Sequence, residues 1–270
     1  TRVRSSAASD VYKRQGGTLV SVVEAPLDEN QSGVRTLCHA ADKIYLALAA
    51  TLAVGLSWRW LAEQVFEDRS HDATAHMMQL AAHAPPGASG ILFLPYLAGE
   101  RTPIMDARAA GAFVGLRVGH TCAHLARAVL EGVALCLRHA LSALQEVGVH
   151  VHEILLAGGP AHQPIVCRVV ADVLAREATP LVVRDQSAIG ASLLAAVATG
   201  GFATMHEACT STIRTGTAIQ PDPTRSTLYD QLYVTYCDLY PALREHLHAL
   251  SDGYTLETEG YQSAGIGSET

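Results

Sequence analysis

Between Cys122 and Val147 the apolar residues Leu125, Val129, Val133, Cys136, Ala140, Leu144 and Val147 fall on one helical stripe, and Leu130, Leu137 and Leu141 widen it. A stripe that broad exceeds what a surface helix needs, so this helix must be buried on most of its sides. The flanking segments say what can bury it. Downstream the pattern alternates: a strand over 153–157, a helix over 163–175, a strand over 180–183 and a small-residue helix over 188–199, closed by Gly200 and Gly201. Upstream, the β-branched and apolar runs at 18–24, 34–40 and 43–50 read as three strands joined by short turns, a meander. Strands first and alternation afterwards imply an α/β layer fold, a mixed sheet with helices on both faces.

The remaining segments fill in around that plan. Ser57 is placed to cap a helix over 57–66, and a second helix over 72–84 stops at Pro85 and Pro86. Residues 91–94 form a short apolar strand, 99–117 read as loop, 205–208 as a turn, and 227–250 as a last helix interrupted by Pro241. Residues 251–270 are polar and aperiodic, a mobile tail. At the other end, 1–15 is polar, lacks periodicity and joins abruptly to the first strand. It reads as a non-native leader of translated adaptor sequence, which leaves one domain over 16–250.

Composition excludes several functions. With 49% hydrophobic and 17% charged residues the chain is not a disordered one. A net charge of -7, with 19 Lys and Arg and no basic run, disfavours nucleic acid as a partner. No stretch of about 18 apolar residues appears, so no membrane span is expected. The six cysteines form no CxxC pair and suit buried thiols in a reducing, cytoplasmic setting. Of the 13 histidines, the close pairs His150/His152 and His246/His248 stand two apart, pointing to different faces of a helix, so no metal site is expected.

Three stretches can carry chemistry. In 155–164 a buried strand delivers the chain to Gly158 and Gly159, with a helix starting just beyond. Glycines let a ligand approach the backbone, and free N–H groups at a helix start attract anions, so a phosphate is the natural occupant. An ordinary strand-to-helix turn is the other reading. Neither a P-loop nor a GxGxxG fingerprint is present. In 53–61 Gly55 precedes a helix start and Arg59 falls in what reads as its first turn. A cation there opposes the helix dipole and calls for an anion nearby, unless Arg59 is simply a surface side chain. In 93–103 the neighbours Glu100 and Arg101 sit in a proline-bounded loop, where they can pair with each other or with residues around them.

The spaced pattern Gly111-Ala112-Phe113-Val114-Gly115-Leu116, seven residues, then His124 through Glu131, resembles the C-terminal signature of the FGGY carbohydrate kinases. The loop 94–103 (LPYLAGERTP) resembles the pentulose-kinase branch, especially xylulokinase; LAGGPAHQ resembles the family's adenine-nucleotide loop, and 229–243 its closing helix. The resemblance spans about 16–250. It implies an actin-like, ribonuclease-H-like ATPase domain, the nucleotide-binding half of a kinase that closes two domains around ATP, Mg²⁺ and a sugar such as D-xylulose, with gluconate or another polyol as alternatives. Mg²⁺ would ride on the substrate phosphates. Gly55 and Arg59 would face the nucleotide phosphates, Gly158 and Gly159 the ribose and phosphates, and Gln163 the base or ribose. Glu131, in the signature, can pair with Arg127 one turn earlier, a structural role.

This chain also departs from the pattern. The catalytic aspartate and a phosphate-binding Gly-Thr pair would precede the first strand; Asp10 lacks the glycine-rich setting, and Thr18, after Gly16 and Gly17, is shifted from that threonine. No catalytic residue is therefore assigned within the chain: the base is expected upstream, as is the sugar-binding domain. The fragment by itself is expected to be inactive. A domain deprived of its partner exposes an apolar face, which allows a homodimer. A non-catalytic binding module of the same fold is the alternative from a different class.

Overall fold

The computed structural model describes residues 16–27, 33–40, 43–182 and 185–253. The expected leader at 1–15 with Asp10, most of the turn cluster at 28–33, the end of the strand expected at 180–183, and 254–270 of the expected tail lie outside the described residues.

Strands β1 (Gly17–Val23), β2 (Arg35–Cys38) and β3 (Tyr45–Thr51) form an antiparallel sheet. The order is β1-β3-β2 rather than that of a meander. The alanine-rich strand takes the centre because its inward side chains are small. Ala47 and Ala49 are buried against Ala140, Ala143 and Leu144 of helix α3 (Cys122–Glu146), together with Val34. Burial on a central strand overrides the helical preference of alanine.

After β3 the chain forms α1 (Val54–Trp60), which widens into a π-turn over Leu61–Val65, and then α2 (Ala73–Ala81). Strand β4 (Leu92–Leu94) pairs antiparallel with β5 (Ala112–Val114), so part of the stretch expected to be loop is a strand. The ring of Phe93 on β4 lies 4.6 Å from that of Phe113 on β5 and stacks on Trp60 of α1. All of this leans on α3, in which every residue from Ala126 to Cys136 is buried. Gly132 is required there: a Cβ would stand 2.3 Å from the carbonyl oxygen of Phe93, so β4 lies directly on the helix backbone.

Burial on this scale takes charged residues with it. Arg127 Nε donates to Glu131 Oε1 at 2.5 Å, and the same oxygen accepts from Tyr229 Oη at 2.6 Å and from the Gly87 amide at 3.0 Å. Burial, with the Glu131 carboxylate alongside, holds the Tyr229 phenol well above its ordinary pKa, so it stays a donor. Glu131 is thus a structural residue, paired as the sequence allows.

The second half of the fold is a parallel pair, β6 (Glu153–Leu156) and β7 (Glu177–Pro180), connected by α4 (Pro164–Leu174). Strand β7 lies three residues earlier than expected. Ala175, left-handed at φ 49°, ends α4 abruptly, and Pro180 has no N–H with which to extend the ladder. Helix α5 (Gln186–Ala198) follows, then α6 (Met205–Thr212) where only a turn was expected. The cap decides it: Thr204 Oγ1 accepts from the Glu207 amide at 3.1 Å while Glu207 reaches back to the Ala203 amide at 2.9 Å.

Helix α7 (Pro223–Gly253) passes through Pro241 and takes in the first residues of the expected tail. Asp106 holds both sides of that proline, accepting from Tyr240 Oη at 2.7 Å and bonding His248 Nε2 at 2.8 Å. The six cysteines are free; Cys136 and Cys167 are buried, but Cys38 and Cys122 are exposed, which corrects the expectation of buried thiols throughout. Among the described residues no helix is long and apolar enough to cross a membrane.

Glu131→Ala strands the Arg127 guanidinium and the Tyr229 hydroxyl without their acceptor. Urea unfolding of this variant should show a loss of about 3–5 kcal/mol. Arg244→Ala, which removes a largely exposed partner of Asp106, should cost under about 1 kcal/mol.

Candidate functional site

Helix α1 starts earlier than the capping pattern predicts. Its N-cap is Ala53, and Ser57 is buried inside the helix, donating its hydroxyl back to the Ala53 carbonyl at 2.5 Å. The shift moves both candidate residues. Gly55 lies within the first turn, and Arg59 falls in the last turn of α1, where a cation complements the helix dipole. The dipole argument for an anion therefore fails. Burial replaces it: Nε and Nη2 of the half-buried Arg59 are shut off from solvent with no acceptor. A guanidinium does not give up its proton, so those donors remain costly until an anion meets them. Gly55 and Arg59, four residues apart, share one face of α1.

The second group lies at the end of β6. Gly158 has φ 92° and ψ 176°, a conformation that side chains rarely adopt. Gly159 opens a single 3₁₀ turn, Gly159–His162, and a Cβ built on it meets nothing within 4 Å. The backbone there is open to a ligand. Gln163 caps α4 through its main chain, its carbonyl accepting from the Val166 amide at 3.0 Å and the Cys167 amide at 3.2 Å. Its carboxamide takes no part in the cap. Beside it, His162 Nε2 is buried without a partner. Nothing in the sequence singled out this histidine, since a lone ring before a proline-initiated helix carries no pattern.

Among the described residues no hydrogen bond joins the α1 pair to the 158–163 turn, so each group is positioned by its own element. A cavity of about 400 Å³ among the π-turn, α2 and Cys122 includes none of the five residues. No group of three His, Cys, Asp or Glu among the described residues is arranged to hold a metal ion.

What fixes the approach to α1 is the 95–103 loop. The Glu100–Arg101 ion pair does not form. Glu100 is only 2% exposed. Its Oε1 accepts from the Leu52 amide at 2.9 Å and the Arg101 amide at 2.7 Å, and its Oε2 accepts from Cys136 Sγ at 3.5 Å. Burial pushes the carboxyl up from 4.5 to about 7. Thr102 adds a second grip: its N–H donates to the Ala50 carbonyl at 3.0 Å and its hydroxyl to the Gly33 carbonyl at 3.0 Å. The loop thus clamps the end of β3 just before Gly55.

Residues 16–199 match the C-terminal domain of the FGGY family of carbohydrate kinases. The chain belongs to that family. It is 31% identical over 229 residues to the xylulose kinase of Staphylococcus epidermidis, a match covering 85% of this chain and 46% of that protein. The gluconokinase of Bacillus subtilis is 29% identical, over 68% of this chain and 37% of that one. The crystal structure of xylulose kinase from Rhodospirillum rubrum superposes with a TM-score of 0.76 at 31% identity, covering 86% of this chain and 46% of the other. The ligand-bound xylulose kinase from Lactobacillus acidophilus gives 0.78 at 26% identity, over 87% and 47%. This FGGY chain therefore has the actin-like ATPase fold of those kinases and spans about half the length of the relatives it matches.

Because Glu100 binds its proton more tightly in the folded state, it contributes stability that is complete below pH 4.5 and lost as the pH rises through about 7. The loss amounts to about 3 kcal/mol. Glu100→Gln should flatten that dependence: the drop in melting temperature between pH 5 and pH 8 should be clearly smaller in the variant by calorimetry.

Proposed function

We propose that this chain is the nucleotide-binding half of an ATP-dependent sugar kinase whose parent protein transfers the γ-phosphoryl group of ATP to a hydroxyl of a ketopentose such as D-xylulose. One observation carries the reading: the half-buried Arg59, on the helix face that also carries Gly55, has two guanidinium nitrogens, Nε and Nη2, without acceptors in a member of a carbohydrate-kinase family. The names of the relatives favour the ketopentose, since both the Staphylococcus epidermidis protein and the Rhodospirillum rubrum structure are xylulose kinases. A second reading, gluconate, is favoured by the Bacillus subtilis gluconokinase and by the gluconate kinase structure from Lactobacillus acidophilus, which has a TM-score of 0.75.

In this reading Gly55 and Arg59 face the nucleotide phosphates, Gly158 and Gly159 run beside the ribose and phosphates, and Gln163 meets the base or ribose. The local chemistry suits those roles. The Arg59 fork offers paired donors to phosphate oxygens, the bare Gly159 backbone leaves room for a sugar edge, and the Gln163 carboxamide is not consumed by its helix cap. ATP supplies the transferable phosphoryl group, with Mg²⁺ carried on its phosphates. The residues of this chain bind and orient. The base that takes the sugar proton belongs to the half this chain does not span, so the chain alone binds without turning over. Positioned groups of that kind are each worth orders of magnitude in rate. Six free thiols fit a reducing compartment, here the cytoplasm, and the net charge of -7 fits a small-molecule substrate better than nucleic acid.

Titration calorimetry with MgATP should detect binding to the chain, and Arg59→Ala should weaken it at least about tenfold, the effect of one charge-assisted contact. An ADP-release assay with D-xylulose or gluconate should show no turnover by the chain alone. Unchanged affinity in Arg59→Ala would remove the site, and robust turnover would remove the division of labour.

A further inference from the structure

The Glu100 carboxyl lies where four segments meet. Tyr96 and Arg101 come from its own loop, Cys136 from α3, Tyr236 from α7 and the Leu52 amide from the end of β3. Burial holds the Tyr96 and Tyr236 phenols and the Cys136 thiol well above their ordinary pKa values, so all three stay neutral. The two phenols bond each other at 3.0 Å. Asp106 pairs with Glu100 through the main chain, and its carboxylate is taken up by Tyr240 and His248. Among the described residues at this junction, the exposed Arg101 supplies a fixed positive charge. Glu100, raised by burial to about 7, is the group whose charge changes near neutrality.

That charge stands close to the start of α1. Glu100 Oε1 holds the Leu52 amide at 2.9 Å, and Gly55 follows three residues later, a reach of at most about 11 Å. A polyphosphate at Gly55 and Arg59 and an ionised Glu100 are therefore like charges in a partly buried setting. Two unit charges about 10 Å apart, at an effective dielectric constant of about 20, change an affinity roughly tenfold. A protonated Glu100 keeps its bonds to the Leu52 and Arg101 amides without that repulsion.

We infer that Glu100 is a positioning residue for the nucleotide site, presenting the start of α1 to a polyphosphate at full affinity only while its carboxyl holds a proton. The inference rests on the nucleotide reading and adds to it a dependence on protons. Binding and protonation favour each other, so nucleotide uptake draws a proton from solvent near pH 7, and affinity falls as the pH rises through that value.

Titration calorimetry of the chain with MgATP at pH 6, 7 and 8, in buffers of different ionisation heat, tests this, with circular dichroism to confirm that the chain is folded throughout. The unmodified chain should bind roughly tenfold more tightly at pH 6 than at pH 8 and take up protons at pH 7. Glu100→Gln, which keeps the shape but cannot ionise, should bind with one affinity at all three. Protonation of the nucleotide is common to both proteins and cancels in the comparison. Should the variant fail to fold, the proton count on the unmodified chain decides: net uptake supports the inference, and none or net release overturns it. A merely structural Glu100 leaves the affinity of the folded chain flat with pH. Flat affinity in the unmodified chain, or a Gln variant that keeps the full pH dependence, overturns the inference and leaves the nucleotide reading standing. Absence of binding at every pH removes the nucleotide reading, and the inference with it.

Discussion

Helix α3 has to be buried on nearly every side, and the rest of the molecule is arranged to satisfy that demand. Eleven successive residues from Ala126 to Cys136 have no exposed face to spare. The three-stranded sheet closes on one flank through alanine, β4 lies on the backbone at Gly132, and α4 and α7 close the others through Val169, Val170, Tyr229 and Tyr236. A helix enclosed this way also encloses its charges. Arg127, Glu131, Tyr229 and the Gly87 amide therefore form one satisfied group instead of separate surface contacts. Such a group adds less to net stability than an apolar replacement could, but losing any member leaves a buried charge exposed to an apolar interior.

Order passes from that core to the site through one loop. Glu100 reaches from the Cys136 thiol on α3 to the Leu52 amide at the end of β3, and α1 begins two residues later. The two buried polar groups contrast. Glu100 is provided with donors by the protein itself, while Nε and Nη2 of Arg59 are left without acceptors. The first is the signature of a structural brace. The second leaves donors for a partner from outside, and that is the physical basis of the binding proposal.

Much of the fold was legible because it follows from periodicity. The α3 stripe, the alternation after residue 150 and the βββ start are all present in the apolar spacing. The misses have local causes. Ser57 looked like a cap, but a mid-helix serine can bond the carbonyl one turn back, and Ala53 takes the cap by backbone geometry alone. Met205–Thr212 is too polar for its stripe to stand out, and its signal is the cap, in which Thr204 Oγ1 accepts from the Glu207 amide and the Glu207 carboxylate from the Ala203 amide. Pro241 predicts a break, and nothing in the sequence reveals that Asp106, far upstream, holds the helix on both sides of it. At the site, Gly158 was readable from its setting between strand and helix. The unpaired state of Arg59 and the inward turn of Glu100 depend on contacts across the chain that no spacing encodes.

The central claim is that two separate elements, α1 and the 158–163 turn, serve one nucleotide. Hydrogen exchange read by mass spectrometry, with and without saturating MgATP, tests it directly. The account predicts slowed exchange in peptides covering 53–60 and 157–167 together, at the same nucleotide concentration. Protection confined to one of them, or spread elsewhere with both unchanged, would contradict it.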